Sequence, residues 1–203
     1  MGAKLVGNGV LIRPHAACDI APMYAAVIES MASVGRWMSW CHEGYSMEDA
    51  QTWYERCAKA WDTEGDREFG IFDVDTGDVL GCVGINQINR VNRFANMGYW
   101  VRSTHAGRGI ATTAAHLAAG FAFAHLGLAR IEIVALPDNV ASRRVAEKLG
   151  ARFECIARSR LLFGDETRDA AMYSLVPDDL QVALRSLAPT RAPFAIRRRT
   201  GVR

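Results

Sequence analysis

The spacing of hydrophobic positions changes several times along the chain, and each change marks an element. Val10-Leu11-Ile12-Arg13 reads as a short strand closed by Pro14. Asp19 stands at the expected N-cap of a helix carrying Met23, Val27, Ile28 and Met31 on one side. Ser46 and Asp49 are placed for a variant capping box at the start of a second helix, and Trp53, Tyr54, Cys57 and Trp61 then recur at helical spacing. After Gly65-Asp66 the pattern turns to strands. Phe69–Phe72, a hairpin turn at Asp75-Thr76-Gly77-Asp78, Val79–Ile85, a polar connection from Asn86 to Arg93, and Ala95–Val101 follow one another with short links. That succession predicts an antiparallel meander.

An alanine-rich helix runs from the Gly107–Gly109 region to about His125 and ends at Gly127. The β-branched run Arg130–Leu136 must lie parallel to the strand ending at Val101, because a helix connects the two. Pro137-Asp138-Asn139 turns the chain into another helix, Ala141 to Leu149, with Gly150 at its C-cap. Two closing strands, about 152–162 and 168–175, are joined by Gly164-Asp165-Glu166. No repeat and no second domain is visible, so residues 1–180 read as one domain and 181–203 as a tail.

Composition narrows the class. With 203 residues, half of them apolar and 23% charged, the chain has material for one ordinary core. No apolar run reaches the roughly 18 residues of a spanning helix. Five scattered cysteines without a C-x-x-C pair, an odd count and no basic-then-apolar leader predict a reducing, cytoplasmic setting. The five histidines show no ligand spacing, so no metal is expected. The net charge of +2 hides an asymmetry: residues 181–203 hold six arginines and no acid, leaving 18 bases against 22 acids in the body. The Arg197-Arg198-Arg199 run offers phosphate contacts to nucleic acid or the ribosome, or is simply a solvated end.

The candidate chemistry lies in Ser103-Thr104-His105-Ala106-Gly107-Arg108-Gly109-Ile110-Ala111. A Gly-x-Gly turn between a strand and a helix forms an anion cradle: glycines admit close approach, and first-turn amides at the positive end of the helix lack partners. No Gly-Lys-Ser/Thr follows, which argues against a P-loop. A dinucleotide fold would want a third glycine where Thr112 stands, with Glu132 as its ribose acid, and would open on parallel units rather than a meander. A small dinucleotide-binding oxidoreductase stays as an alternative.

Gly98-Tyr99-Trp100-Val101, Ala106-Gly107-Arg108-Gly109-Ile110-Ala111-Thr112, and Asn139-x-x-Ser142 through Glu147-Lys148-Leu149-Gly150 together resemble the GNAT acetyltransferases, in particular the RimJ/RimL-type N-acetyltransferases. Trp37-Met38-Ser39-Trp40 and Asp169-Ala170-Ala171-Met172-Tyr173-Ser174-Leu175 extend the likeness to about residues 8–177. Ala106 stands where the family's motif usually has Gln or Arg; backbone amides hold the phosphate, so the change should be tolerated. The resemblance implies an α+β fold with a mixed, mostly antiparallel sheet of six to seven strands, one splayed parallel pair and flanking helices. It implies acetyl-CoA as co-substrate, its pantetheine arm beside the backbone of Trp100, Val101 and Arg102. The pyrophosphate would meet Gly107, Arg108, Gly109, Ile110, Ala111 and Thr112. Asn139 would help position the pantetheine, and Arg144 and Lys148 would reach the 3′-phosphate or simply form a solvated helix face.

The family's reaction is direct attack of a neutral amine on the thioester. By resemblance Val101 supplies an oxyanion-binding amide and Ser142 a donor to the leaving thiolate, Val145-Ala146-Glu147 standing where many relatives have a tyrosine. Ser142 could equally be a helix-start serine. For a base, Glu68 or a water chain on Asn86, Asn96 and Tyr99 is available; Glu68 could equally be an exposed strand-end acid. Trp37, Trp40, Asn86 and Tyr99 are the candidate acceptor-binding residues, for a protein N-terminus, an amino acid or a small amine, and the acidic body mildly favours a cationic acceptor. The chain is expected as a monomer or homodimer. A non-catalytic CoA-binding module with an RNA-contacting tail is the remaining alternative.

Overall fold

The computed structural model describes residues 3–63 and 65–180. Asn8 and Gly9 both adopt positive φ, 46° and 75°, which is the backbone of a tight hairpin turn. The turn folds Leu5–Gly7 (β1) back on Val10–Arg13 (β2). The hairpin adds a strand to the expected six or seven, and the sheet has eight. Beyond β2 come Arg67–Asp73 (β3), Val79–Asn89 (β4), Phe94–Val101 (β5), Arg130–Ala135 (β6), Arg152–Phe163 (β7) and Glu166–Leu175 (β8). Their order is β1-β2-β3-β4-β5-β6-β8-β7, antiparallel except between β5 and β6. The meander β3-β4-β5 is as expected, but β4 continues past Asn86 to Asn89, where Gln87 takes φ 53° and the register with β5 shifts.

Among the described residues the sheet is flanked by the helices Ile20–Val34 (α1), Met47–Asp62 (α2), Ile110–His125 (α3) and Val140–Leu149 (α4). Ser46 and Asp49 form the expected capping box: the Asp49 N–H donates to Ser46 Oγ at 3.2 Å and the Ser46 N–H to Asp49 Oδ2 at 2.8 Å. Asp19 does not cap α1 with its side chain. A short 3₁₀ turn at Ala17–Asp19 intervenes, and the buried carboxylate instead accepts Arg13 through two nitrogens at 2.6 and 2.8 Å.

Alanine fixes the position of α3. Ala114, Ala115, Ala118, Ala119 and Ala122 are fully buried, and such short side chains let the helix lie close against the sheet. They share one core with Phe69 and Ile71 of β3, Val83 and Ile85 of β4, and Ile131 and Ile133 of β6. Trp61 packs edge-on against Phe69 at 5.1 Å and ties the end of α2 to that core. Among the described residues no helix is long and apolar enough to cross a membrane. The arginine-rich tail lies outside the described residues.

Candidate active site

The parallel pair is short. β5 and β6 align only at Phe94 with Arg130, Ala95 with Ile131 and Asn96 with Glu132, and from Met97 onward they diverge. The Arg102 N–H donates to Leu80 O at 2.8 Å. Counting back along the antiparallel ladder, Trp100 directs its N–H and C=O to β4, whereas Val101 and Tyr99 direct theirs into the gap. Of the three residues expected to offer backbone there, Val101 alone does so. The Arg102 guanidinium is bound to Glu29 and holds that carboxyl down at about 2.

Beyond the gap, Gly107 and Gly109 sit at φ 79° and 80°, the left-handed region that favours glycine. Gly109 is the N-cap of α3, and the first helical bond to it comes from Thr113. The N–H groups of Gly107 through Thr112 meet no acceptor among the described residues. Arg108 is exposed beside them. A turn that gathers successive unpaired donors at a helix N-terminus is suited to a phosphate group. On α4, Asn139 Oδ1 caps the helix by accepting from the Ser142 N–H at 3.1 Å, which leaves its amide NH₂ for a ligand. Arg144 and Lys148 are both exposed, one turn apart.

On the other side of β5 lies a cavity of about 700 Å³. Its wall includes Trp37 and Trp40 from the α1–α2 connection, Glu68, Asn86, Tyr99 and Trp100. The sheet register explains why Glu68 is there. It lies opposite Gly84, and a Cβ at that glycine would overlap the Glu68 carboxyl, so the missing side chain is the space the carboxyl occupies. Burial raises the Glu68 pKa, against the opposing donors Asn86 Nδ2 at 3.4 Å and Cys82 Sγ at 3.6 Å. Asn96 Nδ2 in turn donates to Asn86 Oδ1 at 2.8 Å. Glu68 is thus no exposed strand-end acid but a half-buried carboxyl, its pKa raised by burial, facing an open space.

Tyr99 connects this cavity to α4. Its hydroxyl donates to Ser142 O at 2.9 Å and lies 3.3 Å from Ser142 Oγ, while burial pushes its pKa up to about 12. The phenol therefore stays protonated, and Ser142 Oγ has a fixed neighbour. Glu132 is held by Arg130 at 3.1 Å, which engages the acid the dinucleotide reading required. That reading also needs repeated parallel units, and the sheet has one parallel pair.

Sequence reading missed six contributors. Cys82 and Gly84, on β4, shape the Glu68 environment from fourteen and sixteen residues away. Leu161, Leu162 and Phe163 of β7 also line the cavity. His15 packs against Trp53 at 4.7 Å and lies 3.8 Å from Cys82 Sγ, and burial lowers its pKa to about 4.

Comparison with known proteins agrees with this geometry. The acetyltransferase (GNAT) domain model matches residues 10–152. The ribosomal-protein-serine acetyltransferase of Escherichia coli is 25% identical over 167 residues, covering 81% of this chain and 92% of that one. The uncharacterized N-acetyltransferase YoaA of Bacillus subtilis is 28% identical over 131 residues, covering 64% of this chain and 74% of its own. Among solved structures, Mycobacterium smegmatis RimJ in complex with CoA-disulfide superposes with a TM-score of 0.79 at 24% identity, covering 92% of this chain and 93% of that one. At that identity the likeness is one of fold. The chain belongs to the GNAT acetyltransferase family.

Proposed function

We propose that the chain transfers the acetyl group of acetyl-CoA to a primary amine, foremost the α-amine of a protein N-terminus, by direct attack. The observation that carries this reading is that Glu68 and Tyr99 line one cavity bounded by β5, with Ser142 Oγ 3.3 Å from the Tyr99 hydroxyl. The protein acceptor is supported by the name of the E. coli relative, which acts on ribosomal-protein serine.

The residues divide the work. The N–H groups from Gly107 to Thr112, with Arg108, would hold the pyrophosphate, and Arg144 and Lys148 the 3′-phosphate. Val101 offers its amide in the gap to stabilise negative charge on the carbonyl oxygen. An amine arrives protonated, and Glu68, whose raised pKa brings it nearer the working pH, takes that proton directly or through water held by Asn86 and Asn96. Ser142 Oγ, located by Tyr99, donates to the departing thiolate. Trp37 and Trp40 line the acceptor's approach.

The test is thiol release from acetyl-CoA with N-terminal-serine peptides, free amino acids and polyamines. Acetylated peptide and a loss of about 10²-fold or more in kcat/KM for Glu68→Gln are expected, the size of a general-base contribution. Full activity in Glu68→Gln removes that residue from the reaction, and calorimetry showing no uptake of any CoA form overturns the whole reading.

A further inference from the structure

We infer that Arg56 of α2 recognises an anionic group on the acceptor, so that the preferred amine belongs to a molecule that also carries a carboxylate. The inference rests on the amine-acetylation reading and deepens it by naming the acceptor's charge.

α2 turns one face to the cavity, formed by Asp49, Thr52, Trp53 and Arg56 at positions three, four and seven apart. Two of these carry charge, and they differ in what they already hold. The Asp49 carboxylate is consumed by the capping box: it accepts from the Ser46 N–H at 2.8 Å and from Ser46 Oγ at 2.7 Å. Arg56 is exposed at the cavity wall and makes no hydrogen bond or ion pair among the described residues. Several other guanidinium groups lie against carboxylates, as in Arg13 with Asp19, Arg102 with Glu29 and Arg130 with Glu154. Arg56 instead lines the space an acceptor would fill with its five donors unengaged, a planar fork of the kind that matches a carboxylate.

Arg56 also lies near enough to Glu68 for its charge to favour the ionised form, a smaller effect than burial, the donors Asn86 and Cys82, and the opposing charge of Asp66. A free guanidinium therefore makes Glu68 a weaker base. An acceptor carboxylate on Arg56 cancels that effect and restores the proton affinity of Glu68. The cavity then distinguishes an amine with a neighbouring anion from one without, by affinity and by basicity together. The local charge thus runs opposite to the acidic balance of the body, which by itself favoured a cationic acceptor.

Two sources supply the carboxylate, an acidic side chain early in a peptide and the α-carboxylate of a free amino acid, and one experiment separates them. Steady-state thiol release is measured at saturating acetyl-CoA with Ser-Asp-Ala-Ala-amide against Ser-Asn-Ala-Ala-amide, and with serine against serinamide, rates being referred to unprotonated amine. The carboxylate member of at least one pair should have a KM about five- to tenfold lower, the size of a partly screened charge-assisted contact. Preference in the peptide pair assigns the side chain, and in the amino-acid pair the α-carboxylate.

Arg56→Gln should abolish the difference, Arg56→Glu invert it and Arg56→Lys retain most of it, with the KM for acetyl-CoA unmoved. The pH–rate limb measured with the neutral acceptor should shift upward in Arg56→Gln, and that of the unsubstituted protein should shift upward on passing from the neutral to the carboxylate acceptor, which an arginine that does not touch the acceptor would not produce. Equal KM within both pairs for the unsubstituted protein, with turnover present, overturns the role of Arg56 and leaves amine acetylation standing. Absence of thiol release with every acceptor overturns both.

Discussion

Gly84→Ala isolates the placement of the Glu68 carboxyl from every other property of the site. Gly84 does not take a positive φ, so alanine is free of backbone strain there. Its added Cβ would overlap both carboxyl oxygens and the carboxyl carbon of Glu68. The carboxyl must retreat by about an ångström or more to restore ordinary contact. Its bonds to Asn86 and Cys82 are already long, 3.4 and 3.6 Å, and do not survive such a move. A reacting group misplaced by an ångström costs about 10²-fold in rate, or about 2.7 kcal/mol of transition-state stabilisation. The expected result in a thiol-release assay is therefore a kcat/KM lowered about 10²-fold with acetyl-CoA affinity retained. In a double-mutant cycle, Gly84→Ala should cost little once Glu68 is alanine, because the group it displaces is gone. Activity within about twofold of the unsubstituted protein, or a loss that simply adds to that of Glu68→Ala, would refute the placement argument.

Other perturbations probe the remaining parts. Gly109→Ala forces a side chain into φ 80° with no steric neighbour, so the cost of about 1–2 kcal/mol is purely conformational; calorimetry should show CoA binding weakened about tenfold or the melting temperature lowered by a few degrees. Ser142→Ala should lower kcat while CoA still binds, since the Ser142 carbonyl remains to hold Tyr99; an unchanged kcat excludes the hydroxyl. His15 is neutral in the folded state down to about pH 4, whereas the unfolded chain takes up the proton near 6.5. Stability therefore falls as pH drops from about 6.5 to 4, and urea titrations of His15→Gln should show a shallower decline over that window than the unsubstituted protein.

The cradle and the meander were legible because local rules determine them. Strand, Gly-x-Gly and alanine-rich helix follow one another without interruption from Phe94 to His125, and the capping box at Ser46 and Asp49 closes within a single turn. The Asn8-Gly9 hairpin signal was present in the sequence too, but the three-residue β1 it creates is too short to show a period of two. Asp19 looked like a cap because Asp usually is one before an apolar helix. The nearby Arg13, stacked over Phe72 at 3.8 Å, offered a stronger partner. The environment of Glu68 was not legible at all. Next to Arg67 and Phe69 it reads as a strand-end acid, and only the pairing of β3 with β4 brings Gly84, Cys82 and Asn86 around it. Tertiary register, rather than the neighbouring letters, decides whether such an acid is solvated or enclosed.

The brief alignment of β5 with β6 has a mechanical consequence. Strands β1 to β5 and strands β6 to β8 form two half-sheets joined edge to edge by three residue pairs. Bending therefore concentrates at one seam, and the amides of Tyr99 and Val101 along it should exchange with solvent deuterium sooner than those of Val83 and Ile85 in the flanking core. A long, thin molecule lodged there would act as mortar between the halves, stiffening the whole sheet on arrival and loosening it again on departure.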